Sequence, residues 1–250
     1  MQVAVGGPTA FYFKIYCACI EHSNYEEERS MSVSQLSQTV EQQPFFNVIQ
    51  ERRSVRSYDP EVKISREEMN EILQQATLAP SAANLQPWRF LVIDSQELKQ
   101  KLYPIAFNQQ QVIEASAVIA VLGDLEGYKL AEKIYGMAVD AGYMPADTAQ
   151  SFVERYQTMF ASMPSETVLQ KISIDGGLVS MQLMLVARAK GYDTVPMGGF
   201  DHAKFAEAFD IPERYAPIML IAIGKAANPG HPTLRLPIDD VAFFNEMPKE

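Results

Sequence analysis

Arg52, Arg53, Ser54, Val55 and Arg56 put three guanidiniums and one hydroxyl into five consecutive residues. These are donors that suit a phosphate: Arg supplies forked, charge-assisted bonds and Ser adds a hydroxyl. The plainer reading is a solvated basic turn neutralised by Glu51 and Asp59, and composition by itself favours it. A second segment, Pro80-Ser81-Ala82-Ala83-Asn84-Leu85-Gln86-Pro87-Trp88, combines small side chains with two amides. Small residues let a ring system approach the backbone, and each amide both donates and accepts. Taken alone, the segment reads as a turn with Trp88 in the core. A third, Pro196-Met197-Gly198-Gly199-Phe200-Asp201, has two glycines that bring backbone N–H groups near a ligand at a helix start, a place that favours an anion. Locally it reads equally as a tight strand-to-helix turn with Asp201 as N-cap. Arg235 stands alone in a Pro-rich tail, and alone it means nothing.

These segments need elements to hold them. Phe45 to Arg53 reads as a short amphipathic helix with Phe46, Val48 and Ile49 inward. Ser65, followed by Glu67 and Glu68, caps a helix that runs through Met69, Ile72, Leu73 and Ala76 and stops before Pro80. Residues 89–93, 115–122, 192–195 and 217–223 read as short apolar strands, and 95–103 and 201–209 as helices. Residues 126–162 are helical but irregular. Residues 167–190 form a helix apolar on most faces, which predicts burial. Gly176-Gly177 inside it predicts close packing of another backbone. The layout is α+β, with one central sheet flanked by helices in an α/β/α arrangement.

The 250 residues are 47% hydrophobic and 21% charged, enough for one sizeable core. A net charge of -10 argues against a nucleic-acid partner, yet leaves room for a small basic pocket around one phosphate. Cys17 and Cys19 lack partners at ligand spacing, and His22, His202 and His231 are scattered, so no metal site is expected. No disulfide framework is apparent, which makes the cytoplasm the expected compartment. The apolar run 10–20 carries Lys14 and is too short to span a bilayer, so no membrane association is expected. Residues 1–40 read as an N-terminal extension that adds little to the fold, and 41–250 as the domain proper.

Taken in order, ERRSVRSYDP, APSAANLQPWRF, FNQQQV, IDGGLVSMQLMLVARAKGYDTVPMGGFD and LRLPID resemble the nitroreductase family over about residues 45 to 245. The segment GYDTVPMGG is similar to that of the bacterial NAD(P)H nitroreductases. The resemblance implies a nitroreductase-like fold, a mainly antiparallel sheet flanked by helices, in a homodimer with two shared flavin sites. It implies FMN as cofactor and NAD(P)H as co-substrate. Hydride would pass through flavin N5 to a small electrophilic acceptor, a nitroaromatic, quinone or similar, by a ping-pong route. Arg52, Ser54 and Arg56 would hold the FMN phosphate and ribityl chain, with Arg53 assisting and Arg235 closing from the tail. Asn108 and Gln111 would bond the polar edge of the ring, and Met197, Gly198 and Gly199 would lie along it. Ser81, Ala82 and Asn84 would reach the flavin from the other subunit. No residue is implied as catalytic acid, base or nucleophile. Some members carry an acidic residue where this chain has Gly198, and some a basic one where it has Thr233. Two alternatives share the scaffold: a flavin-binding protein without NAD(P)H reductase activity, and a related flavin enzyme such as a dehalogenase.

Overall fold

Four strands rich in β-branched and apolar residues pair edge to edge: Trp88–Ile93 (β1), Ala117–Asp124 (β2), Asp193–Met197 (β3) and Tyr215–Gly224 (β4). The computed structural model describes residues 45–248, so the extension expected over residues 1–40 lies outside the described residues. The sheet is antiparallel throughout, in the order β1-β2-β4-β3. β2 is buried along its whole length because helices cover both faces of the sheet. Side chains alternate between two cores. Val118, Ala120, Leu122, Val195, Leu220 and Ala222 face one way, and Ala117, Ile119, Val121, Ile221 and Ile223 the other.

The helices are Phe45–Glu51 (α1), Arg66–Ala76 (α2), Gln96–Ile105 (α3), Gln111–Glu114 (α4), Ala131–Asp140 (α5), Ala146–Ala161 (α6), Ser165–Ala189 (α7) and His202–Ala208 (α8). Helices α3 and α8 supply Leu102, Ile105 and Phe205 to the first core, while α2 and α7 supply Ile72, Val179 and Leu183 to the second. The expected cap holds: Ser65 Oγ accepts the N–H of Glu68 at 3.1 Å. The irregular stretch resolves into α5 and α6, which enclose a third core of Tyr135, Phe160, Val168, Ile172 and Leu85.

Three expectations are corrected. On α1 only Val48 is buried, while Phe46 and Ile49 stand in the open. On α7 burial follows Val168, Ile172, Val179, Leu183 and Ala187, a single helical stripe, and Ile174, Leu178 and Met181 are exposed. The outward face is apolar as well, so apolar composition on most faces does not by itself mark burial. At Gly176 the close neighbour is a side chain: a Cβ there would stand 2.6 Å from Ile218 Cδ1, whereas Gly177 faces open space. Helix α7 is the one described helix long and apolar enough to cross a membrane, and it packs against all four strands.

Candidate flavin site

The basic segment is a strap laid beside β3. Ser54 bridges Thr194 in parallel, and the Val55 N–H donates to the Thr194 carbonyl at 3.1 Å. Val55 and Tyr58 plug into the core, and Tyr58 Oη donates to the Ala222 carbonyl at 3.2 Å. These anchors leave Ser54 and Arg56 facing outward. The tail then returns across the strap. Tyr58 bridges Ala226, and the Ala227 N–H donates to the Ser57 carbonyl at 3.0 Å. At Gly230 a Cβ would stand 2.5 Å from Arg53 Cβ and 3.2 Å from the Ser54 carbonyl, so a larger residue could not cross here without displacing the strap.

The tail that makes this crossing carries Arg235, whose charge bears on Arg52. Burial lowers the pKa of the Arg52 guanidinium, and the positive charges of Arg235 and then Arg53 lower it further. The acids expected to neutralise the basic turn are engaged elsewhere. Glu51 pairs with Arg188 at 3.0 Å, and Asp59 Oδ1 takes the N–H of Glu61 at 3.0 Å. Among the described residues no carboxylate lies within ion-pair reach of Arg52, Arg56 or Arg235. Arg53 is different: its Nη1 donates to the carbonyls of Gln50 at 2.5 Å and Arg52 at 2.9 Å, which ties off the end of α1.

On the same edge of the sheet, β3 runs out at Met197 into Gly198 and Gly199, both exposed, with nothing within 4 Å of where either Cβ would stand. The α3–α4 turn packs against this backbone. Gln109 Nε2 donates to the Gly199 carbonyl at 2.9 Å, and Gln111 Nε2 donates to Gln109 Oε1 at 2.8 Å and lies 3.4 Å from Met197 Sδ. Asn108, at φ 57°, is exposed beside them. Asn108, Gly198 and Gly199 are therefore brought together facing open space, with Gln111 and Met197 buried directly behind them. Gln109 is a linking residue that the sequence reading passed over, although it stands inside the quoted FNQQQV motif. Behind the turn, buried Lys99 donates to the carbonyls of Ile113 at 3.1 Å and Ala115 at 2.6 Å, and burial pushes its ammonium pKa down.

Ser81, Ala82 and Asn84 lie elsewhere. Their loop enters β1 at the opposite edge of the sheet. Ser54 sits in register with Thr194, Ile223 and Ala117, whereas Trp88 pairs with Gly123. The two are four strand spacings apart, roughly 19 Å, and six residues along β2, roughly 20 Å. One chain does not close the loop onto its own arginines. The loop is fixed by its neighbours: Asp175 Oδ1 accepts the Ala82 N–H at 3.0 Å, and Tyr135 Oη donates to the Ala83 carbonyl at 2.7 Å. At its root, Asp124 Oδ2 accepts from Arg89 and from Arg214, each at 2.7 Å. The hollow beneath the loop, lined by Leu85, Asp124, Phe160, Lys171 and Asp175, carries no arginine and suits a phosphate poorly.

The model of the nitroreductase family matches residues 49–225. The chain belongs to the nitroreductase family. That span holds the strap, both edges of the sheet and the loop, and leaves the tail with Arg235 outside. The nitroreductase-family relatives include YdgI of Bacillus subtilis, named as an NAD(P)H nitroreductase, 54% identical over 79% of this chain and 96% of that protein. The CLA biosynthesis enone reductase of Lactiplantibacillus plantarum is 36% identical over 75% of this chain and 88% of its own length. Among solved structures, a family protein from Exiguobacterium sibiricum in complex with FMN is 52% identical. It covers 84% of this chain and 100% of its own, with a TM-score of 0.79.

Proposed function

We propose that this nitroreductase-family chain is an FMN-dependent oxidoreductase that works as a homodimer and moves reducing equivalents from NAD(P)H to a small flat electrophile. One observation carries the reading: Arg52 and Arg235 come from distant parts of the chain, the charge of Arg235 bears on Arg52, and no carboxylate among the described residues pairs with either. Like charges held together favour an anion between them, and guanidinium forks match a phosphate. The FMN bound by the Exiguobacterium sibiricum relative supports the identity of that anion.

The residues present fit each part of the cofactor. Arg52, Ser54, Arg56 and Arg235 hold the phosphate and ribityl chain. Arg53 contributes by fixing the end of α1. Asn108 and Gln111 bond the polar edge of the ring, and the Cβ-free backbone at Gly198 and Gly199 lets the ring lie close. When bound, the flavin supplies the redox chemistry, taking hydride from NAD(P)H and passing it to the acceptor. The chain contributes orientation, because reactants stacked over a fixed ring react as neighbours. Fixed amide and backbone donors around the ring favour negative charge there.

Ser81, Ala82 and Asn84 meet the ring from a second copy. Exposed apolar residues mark the faces such a copy would cover: Phe46 at 72% exposure, Ile174 at 66% and Leu234 at 96%. The acceptor class is a nitroaromatic or quinone, and the enone reductase relative motivates an activated double bond as a third member.

The test is spectroscopic. The FMN-loaded protein bleaches when NADPH or NADH is added without air, and a quinone or nitroaromatic restores its colour. Bound FMN that stays yellow with both nucleotides contradicts the reductase reading and favours a flavin-binding protein.

A further inference from the structure

We infer that Tyr135 and Asp175 are positioning residues that clamp the 81–86 loop, from two sides, in the conformation in which it meets the flavin of the second subunit. The inference rests on the two-subunit flavin site proposed above.

The loop needs holding. Ala83, Asn84 and Gln86 have φ of 52°, 53° and 47°, a region that strains residues carrying a Cβ. Such strain persists where the surroundings over-determine it, and it gathers at functional sites. Bonds inside the loop are local: the Gln86 N–H donates to Ser81 Oγ at 3.0 Å, and the Asn84 N–H to the Ser81 carbonyl at 3.0 Å. The anchors to the rest of the fold come from separate helices. From α7, Asp175 Oδ1 accepts the Ala82 N–H at 3.0 Å. From α5, Tyr135 Oη donates to the Ala83 carbonyl at 2.7 Å.

Both anchors are costly placements unless the loop uses them. Asp175 is buried in the middle of an apolar helix, where a carboxylate is unfavourable without a partner. Burial raises its pKa, and the loop N–H and Lys171 one turn earlier pull it partly back. Tyr135 sits in an aromatic cluster, 5.6 Å from the Phe152 ring and 6.2 Å from that of Tyr156, which aims its hydroxyl. Neither residue lies in the arginine strap or the amide turn. A change at either would therefore be felt by the flavin that the other chain grips.

Three variants of the FMN-loaded protein test this. Tyr135→Phe deletes one oxygen and keeps the ring. Asp175→Ala deletes the acceptor, and Asp175→Asn keeps an acceptor oxygen without the charge. The readouts are the FMN Kd, the visible circular dichroism of the bound flavin, and kcat and KM measured separately. Asp175→Ala should weaken FMN binding about tenfold, Tyr135→Phe less, and both should alter the visible dichroism and lower kcat while far-ultraviolet dichroism stays the same. Asp175→Asn should recover most of the lost affinity. Wild-type affinity, dichroism and kcat in Tyr135→Phe and Asp175→Ala overturn the clamp, as does an Asp175→Asn variant as impaired as Asp175→Ala. If Asp175→Ala does not fold, Tyr135→Phe decides: a wild-type spectrum and kcat overturn the clamp. Wild-type protein that takes up no FMN overturns the clamp and the flavin reading together. Variants that bind and turn over like wild type overturn the clamp alone.

Discussion

A chain carrying Arg52→Ala together with Arg235→Ala emerges from gel filtration without FMN and without yellow colour. Each arginine offers charge-assisted bonds to the phosphate, worth about 1.5–3 kcal/mol apiece. Losing both weakens binding by roughly 3–6 kcal/mol, a hundredfold or more. The apo fold should be spared. Among the described residues Arg235 bonds only the carbonyl of its neighbour Leu234, at 2.8 Å, and Arg52 makes no side-chain bond to another element. Removing the pair also removes a repulsion between two like charges. FMN per chain, measured by absorbance after desalting, checks this. Unchanged stoichiometry contradicts the phosphate assignment.

Replacing Asp124 by Ala should cost about 3 kcal/mol of stability. Its side chain is fully buried and accepts four bonds: two from Arg214 at 2.6 and 2.7 Å, one from Arg89 at 2.7 Å and one from the Glu126 N–H at 3.0 Å. Truncation strands two guanidiniums and a backbone donor. Breaking a buried ion pair costs about 3–5 kcal/mol. The lower end applies because the two arginines are 33% and 35% exposed, so water recovers part of their solvation. Urea unfolding of the variant and wild type reads the difference. A loss below about 1 kcal/mol would mean that the cluster is no more than a surface pair.

The elements were legible where local chemistry decides them. Ser65 before two glutamates and the apolar runs of β1, β2 and β4 act within a few residues, and each stands where its pattern predicts. Burial was less legible. Phe46, Ile49, Ile174 and Leu178 have core-like character and core-like spacing, yet stand exposed on the single chain. Periodicity reports that a face is apolar and cannot say whether its own chain or another covers it.

The proposed site residues stand out as motifs, but several of their supports do not. Asp175 and Tyr135 hold the 81–86 loop, and Asp124 the start of β1 at Arg89, through bonds that span 93, 52 and 35 residues. No local spacing connects such pairs. Gln109 was within reach, since a run of three glutamines beside Asn108 already marked an amide-rich turn. The pairing of Glu51 with Arg188 decides against a self-neutralised basic turn, and it joins residues 137 apart.

Two chains together make each flavin cradle in the proposed dimer. Sedimentation of the FMN-saturated protein, followed in the flavin's visible band, tests it most directly. All bound colour should travel with a dimer at one FMN per chain. A colourless monomer that leaves added FMN free at the meniscus would contradict it.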